Sequence, residues 1–487
     1  MDLKMMLANT AREHADKEAV VSGQQRLSYA ELDAASNKIA NTLLELGVGK
    51  GDRVAMLLGN SPEFIIIFFG IAKTGAIAVP LDTRYKNTEL NLVFGSCQPR
   101  VLLAEDALLE KTSAALTRSI EVISTGGAAE GTSASYESIM ASASPQAVEI
   151  PLNPEDTVFL SYTSGPATEP QGAMFSHQSL YAEAIMSVEG FQQTSADVLM
   201  LFALPLYHNF GLVAAMLGSV YRGSTIVIVP GTGISISSLM EAIEKEKGTI
   251  LTGVPYIYSL AVELAKKEGI KNNLSSLRVC ASGGAPLRVE TIEQFKQYYG
   301  LTLADIWGLT EAVCHITCSP IDGSGKPGSC GRTLPGWELK IVGEDDTELP
   351  VNQDGEIIVR GPFTQGYYRN PEATAGAIKN GWLHTGDIGR IDEDGYVFIT
   401  GRKKDMVILK GQNVYPREVE EVIATFPKVA GVRVSGVPDR LRGEIVKAVI
   451  RLKEGASSSE QEIRQLCQER MADYKVPKQI VFTRSPL

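Results

Sequence analysis

Residues 381–416, GWLHTGDIGRIDEDGYVFITGRKKDMVILKGQNVYP, decide how the rest of the chain is read. Asp387 follows a glycine turn in WLHTGD, where an acidic side chain can accept hydrogen bonds from a sugar diol. Glu393-Asp394-Gly395 reads as the turn of a hairpin between Ile391 and the alternating Tyr396, Phe398 segment. Gly401-Arg402-Lys403-Lys404-Asp405 then separates that hairpin from another apolar strand, which makes it a pivot.

WLHTGD and GRKKD, in this order and followed by the glycine of KGQNVYP, resemble the adenylate-forming superfamily of acyl-CoA synthetases, firefly-luciferase-like enzymes and peptide-synthetase adenylation domains. The resemblance runs from about Leu27 to Leu487. It implies that Asp387 holds the ribose of ATP, that Arg402 assists it, and that Lys404 is the hinge of a small mobile domain. The implied fold is α/β. A large N-terminal domain, residues 1–402, has sheets flanked by helices plus a β-rich part, and residues 403–487 form a small α+β domain.

Composition agrees with such a chain. At 487 residues it is too long for one compact core, and 44% apolar with 21% charged residues is ordinary globular usage. A formal net charge of -11 with no sustained basic stripe argues against nucleic-acid binding. The six cysteines are scattered, as in a reducing cytosol, and Cys314-His315 with Cys318 lacks a fourth ligand for zinc in sequence. Lys4 is not followed by a long apolar core, so no secretory signal is expected. Phe64 to Ala72 is about half the ~20 residues that cross a bilayer and reads as a buried helix. A cytoplasmic protein is the expectation, and a homodimer is compatible with it.

The first 150 residues alternate helix and strand. A helix runs from about Leu27 to Leu46, Val54 to Leu58 reads as a buried strand, and Ser61-Pro62 caps the Phe64 helix. Gly126 to Gln146, rich in Ser, Ala and Gly, reads as a surface loop. Thr157 to Tyr162 is a strand feeding Thr163-Ser164-Gly165-Pro166-Ala167-Thr168-Glu169-Pro170-Gln171-Gly172. The resemblance makes this the loop that wraps the ATP phosphates, with Thr163, Ser164 and Gly165 as nucleotide contacts. Small residues let backbone N–H groups approach phosphate, and an ammonium supplies countercharge. This chain departs from that pattern. Pro166 has no N–H, Ala167 has no hydroxyl, Thr168 replaces a glycine and Gln171 stands where the family has lysine, so the ATP half-reaction is expected to be weakened.

In LPLYHNFG, His208 matches the family residue beside the acyl carboxylate, and the helix after it is expected over Leu212 to Val220. Phe210, Gly211 and Ala215 are read as pocket lining, the small residues leaving room for a chain. The acyl pocket implied by the resemblance comprises Tyr207, His208, Phe210, Gly211, Val254, Tyr258, Gly283, Gly308 and Leu309. Asn209 is the polar group that could orient an aryl substrate. Gly284, Ala285 and Pro286 match the adenine loop. In WGLTE, Trp307 matches the aromatic that stacks on adenine, Thr310 the α-phosphate contact and Glu311 the Mg²⁺ ligand. A π face, a hydroxyl donor and a hard oxygen suit those three tasks.

Past Lys404, helices are expected over Pro416 to Ala424, with Glu418, Glu420 and Glu421 outward, and from Ser457–Glu460 to Met471. Strands are expected over Val432 to Val437 and Glu444 to Lys453. The resemblance implies a further segment bearing a catalytic lysine, for which no counterpart is expected within a sequence that stops at Ser485-Pro486-Leu487. The resemblance implies an acid–CoA ligase. It joins a carboxylic acid to ATP, with Mg²⁺, as acyl-AMP and passes the acyl group to coenzyme A. Thr310, Glu311, His208, Arg402 and Lys404 would be catalytic, and Gly411 would border the CoA tunnel. The GVPYIY and SGGAPL turns most resemble medium- and long-chain fatty-acid enzymes. Two other readings are a carrier-loading or aryl-acid adenylating enzyme, and a catalytically impaired nucleotide- and acyl-binding homologue.

Overall fold

The computed structural model describes residues 1–112, 120–127, 132–163, 170–229, 234–402, 407–409, 412–414 and 416–485. Two large, mainly parallel sheets form the frame. One has seven strands, and its centre runs Val101–Glu105, Arg53–Leu57, Ile77–Pro80, Thr157–Thr163. The other has nine, with Leu303–Trp307, Val279–Ser282, Ile250–Gly253, Val198–Leu201 and Thr225–Ile228 in spatial order.

Side-chain alternation explains how helices fill the space between and outside these sheets. Val54 and Met56 face one core while Ala55 and Leu57 face another; Leu199 and Leu201 point inward while Met200 points outward. The shared inner core takes residues from both sheets and from helices Tyr29–Glu45, Pro62–Thr74 and His177–Gly190. Pro62–Thr74 is buried on every side from Phe64 to Thr74, its Ser61 hydroxyl accepts the Phe64 N–H, and Pro62 opens it. Each large apolar side chain so buried contributes about 1.5–3 kcal/mol, whereas Ser61→Ala would cost only about 1 kcal/mol. No described helix is long and apolar enough to cross a membrane.

A third, five-stranded sheet carries the hairpin Trp382–Ile391 and Val397–Arg402. A fourth joins strands Val407–Leu409, Gln412–Val414, Val429–Asp439, Gly443–Leu452 and Gln479–Thr483. With helices Pro416–Ala424 and Glu460–Arg470 it closes its own apolar core, from Val407 to Ile480.

Three expectations change. Tyr136–Ser142 is a helix, not loop: Ser135 and Ser138 form its cap, and Tyr136 and Ile139, three apart, are buried. The helix after His208 begins earlier and as a π-helix, Phe210–Leu217, before the α-turn Gly218–Arg222. Glu420 does not face outward; its Oε1 accepts the Val434 N–H at 2.7 Å and ties helix to strand.

Candidate active site

The hairpin register places Asp387 directly opposite Arg402. Arg402 Nε lies 2.9 Å from Asp387 Oδ1, and the indole Nε1–H of Trp307 donates to Asp387 Oδ2 at 2.8 Å. Asp387 is buried, which pushes its pKa upward; the Arg402 charge and the Trp307 N–H oppose that rise. Arg402 Nη1 is buried with no hydrogen-bond partner among the described residues.

Strand Leu303–Trp307 ends in a tight turn, Thr310–Ala312, closed by Val313 at φ 68°. Tyr367 donates its hydroxyl to Glu311 Oε1 at 2.8 Å. Burial raises the Glu311 pKa, Tyr367 lowers it, and the nearby Asp387 charge adds to the rise. Mg²⁺ is commonly held by one or two carboxylates plus substrate phosphates, and a single fixed carboxylate of this kind fits that donor set.

A cavity of about 450 Å³ opens where the parallel strands end. Its walls include Ser161, within the strand Thr157–Thr163, then Pro80, Ala203 to Pro205, Val254, Gly284 and Thr310, each at or beyond a strand end, and Tyr207, His208 and Phe210. The small domain closes it with Leu409, Gln412, Arg442, Tyr474 and Lys478. His208 Nδ1 accepts the Phe210 N–H at 3.2 Å, so its proton resides on Nε2. Burial lowers its pKa to about 4, leaving a neutral donor at pH 7.

Several expected acyl-pocket residues serve other ends. A Cβ on Gly211 would lie 2.2 Å from the Pro205 carbonyl oxygen, one on Gly308 1.9 Å from that of Cys314, and one on Gly283 2.6 Å from Ile306. These glycines permit close packing and do not line the cavity. Tyr258 is buried on the outer side of the nine-stranded sheet, donating to the Leu251 and Ala281 carbonyls. Leu309 packs against the inner core, and Ala285 and Pro286 follow Gly284 outside the cavity wall. Asn209 cannot orient a substrate ring, because it is 2% exposed and its amide is engaged by Ser161 and Thr310. Ser164, Gly165, Pro166, Ala167, Thr168, Lys404, Gly411 and the Thr163 side chain lie outside the described residues.

Cys314 and His315 do not converge with Cys318, whose thiol faces the Gly190 carbonyl. They meet buried Glu183 instead, and its two oxygens accept N–H groups from His315 and Trp337. Sequence reasoning missed Tyr367, the Asn209 clamp and the Glu89–Lys475 contact between domains. GYYRNPEAT, just before the WLHTGD run, holds Tyr367 and was not read in the sequence analysis.

A model of AMP-binding enzymes matches residues 7–368, and one of the AMP-binding enzyme C-terminal domain matches 418–487. The chain is 32% identical to a long-chain-fatty-acid–CoA ligase of Bacillus subtilis over 99% of this chain and 91% of that one. It is 34% identical to 4-coumarate–CoA ligase 3 of Oryza sativa subsp. japonica, over 96% and 86% respectively. The solved structure of amide bond synthetase McbA from Marinactinospora thermotolerans is similar with a TM-score of 0.88 at 28% identity, over 100% of this chain and 97% of that one.

Proposed function

This chain belongs to the AMP-binding, adenylate-forming enzyme family, and from that premise we propose that it is an AMP-forming acid–CoA ligase acting on a medium-chain fatty acid. The carrying observation is the single cavity in which His208, Gly284 and Thr310 of the large domain meet Leu409 and Gln412 of the small one. A space of this kind takes a small-molecule ligand. Trp307, Glu311, Asp387 and Arg402 lie outside its wall, and of the expected nucleotide contacts among the described residues only Gly284 and Thr310 line it.

In the first half-reaction the acid's carboxylate oxygen attacks the α-phosphorus of ATP, forming acyl-AMP and releasing pyrophosphate. His208 donates Nε2–H to the carboxylate, Asp387 accepts from the ribose diol, and Arg402 supplies its guanidinium charge near the developing charge. Trp307 offers its ring to adenine while its N–H fixes Asp387. Glu311, steadied by Tyr367, would hold Mg²⁺, which neutralises phosphate charge when bound. In the second half-reaction the CoA sulfur attacks the acyl carbonyl and AMP leaves; the thiol proton is lost to solvent. Arg442 and Lys478 at the small-domain wall suit an anionic thiol donor entering there. Lys404 would be the pivot between the two steps, with Gly411 beside the entering arm.

A medium chain is preferred to a long one because Gly211, Gly283 and Gly308 do not line the cavity of about 450 Å³, which leaves limited room for a chain beyond His208 and Phe210. The aromatic walls Tyr207, Phe210 and Tyr256 favour an aryl or arylalkyl acid as second reading. The test measures acid-dependent ATP–pyrophosphate exchange and CoA-ester formation over straight-chain and aryl acids, with amines as alternative acceptors. Medium-chain acids should give CoA ester, and faster from supplied acyl-AMP than from acid plus ATP. Exclusive turnover of aryl acids, or amide formation in preference to thioester, would overturn this assignment.

A further inference from the structure

Three walls of the cavity meet at one buried side chain outside the proposed chemistry. Asn209 Oδ1 accepts the Ser161 hydroxyl at 2.7 Å, and its Nδ2 donates to the Thr310 carbonyl at 3.1 Å. Ser161 lies on the strand Thr157–Thr163, which leads toward the expected phosphate loop, and Thr310 on the turn that carries Glu311. Asn209 itself stands between His208 and Phe210, both of which line the cavity.

The bridge has little freedom to absorb a displacement. Asn209 is 2% exposed and enters the π-helix Phe210–Leu217, whose eight residues are all buried. On the other side, Asn60 holds the Leu204–Leu206 loop through hydrogen bonds of 2.9 and 2.7 Å. A π-helix is a rare backbone state met frequently at functional sites. An acid pressed against His208 and Phe210 would bear on the backbone at Asn209, whose amide is bonded to Thr310.

We propose that Asn209 is a positioning residue that couples acid occupancy to nucleotide affinity, orienting Thr310 and Ser161 when the acyl pocket fills. This rests on the acid–CoA ligase reading. Coupling between two binding sites is reciprocal, so acid must tighten nucleotide by the factor by which nucleotide tightens acid.

The experiment is calorimetric titration of the intact protein with a non-hydrolysable ATP analogue, with and without octanoate, and the reverse. Wild type should show mutual tightening of about fivefold or more. Asn209→Leu, which removes both hydrogen bonds, should bring the factor to about one. Asn209→Asp keeps the acceptor for Ser161 but sets an oxygen against the Thr310 carbonyl, and should lose most of it. Ser161→Ala, a mild truncation in case the Asn209 variants fold poorly, should give an intermediate factor. Full coupling in Asn209→Leu or Ser161→Ala, or none in wild type that performs acid-dependent exchange, overturns the inference alone. Wild type that supports no exchange with any acid overturns the enzyme reading as well.

Discussion

Lys475 Nζ reaches Glu89 Oε1 at 2.9 Å, joining the small domain to the large one through a buried ion pair. Beside it the Arg84 guanidinium lies 4.5 Å from the centre of the Tyr474 ring, and Lys86 lies 3.7 Å from Asp473. Removing one partner of a buried pair costs about 3–5 kcal/mol, because the other charge stays buried alone. Lys475→Met should therefore undock this arrangement. CoA-ester formation from supplied acyl-AMP should fall by at least about tenfold, equivalent to 1.4 kcal/mol, while acid-dependent pyrophosphate exchange changes little. Stopped-flow measurement of the two half-reactions decides it; equal losses in both would contradict a role confined to this domain arrangement.

Trp307 and Asp387 give a second test. Trp307→Phe keeps a ring for adenine but removes the N–H that favours the ionised carboxylate. A hydrogen bond to a charged group contributes about 1.5–3 kcal/mol, so the KM for ATP should rise about tenfold or more. Burial already raises the Asp387 pKa, and losing the donor raises it further. The loss of ATP affinity on acidification should therefore begin at higher pH in Trp307→Phe than in wild type. Nucleotide titrations across pH would reveal an unchanged acidic limb if Asp387 does not bind ribose.

The same pair marks the limit of what the chain disclosed in one dimension. Asp387 and Arg402 were legible as partners through the family resemblance and not through the turn at Glu393–Gly395, whose register alone would set Asp387 opposite Gly401; a bulge between the Gly389–Ile399 and Ile388–Gly401 pairs shifts the partner to Arg402. The Phe64 helix was legible from its cap and its unbroken apolar run. Trp307 and Asp387 lie 80 residues apart, and Glu89 and Lys475 lie 386 apart, so no local periodicity connects them. The glycines misled for a related reason. A missing side chain at Gly211 reads equally as an open pocket or as a close approach, and only the position of the Pro205 carbonyl separates the two.

His208 carries a prediction about both rate and pH. Its neutral Nε2–H donor is retained down to about pH 4 because burial disfavours the imidazolium. The pH profile of kcat/KM for the acid should show no limb near the ordinary histidine pKa of about 6.5 attributable to this residue. His208→Ala should lower kcat/KM for the acid about tenfold to a hundredfold, the loss of one hydrogen bond to a carboxylate, with little effect on the KM for ATP. A limb near 6.5 that disappears in His208→Ala would show that the imidazole titrates in the open site.

Glu183 makes a stability prediction independent of activity. It is fully buried beside Cys314 and His315, and burial raises its pKa well above 4.5 although two N–H groups favour the anion. A raised folded-state pKa means that the native protein binds the proton more tightly than the unfolded chain. That contribution to stability is complete below the unfolded pKa, and is lost as pH rises toward the folded one. Glu183→Gln cannot titrate, and it also presents an N–H to one of the two donors, which costs about 1–3 kcal/mol. Wild type should therefore exceed Glu183→Gln in Tm by most near pH 4, with the gap narrowing steadily as pH increases. Thermal unfolding of both proteins from pH 4 to pH 8 reads the difference directly; a gap that widens with pH would mean that Glu183 is held as the anion, stabilised by its two N–H donors.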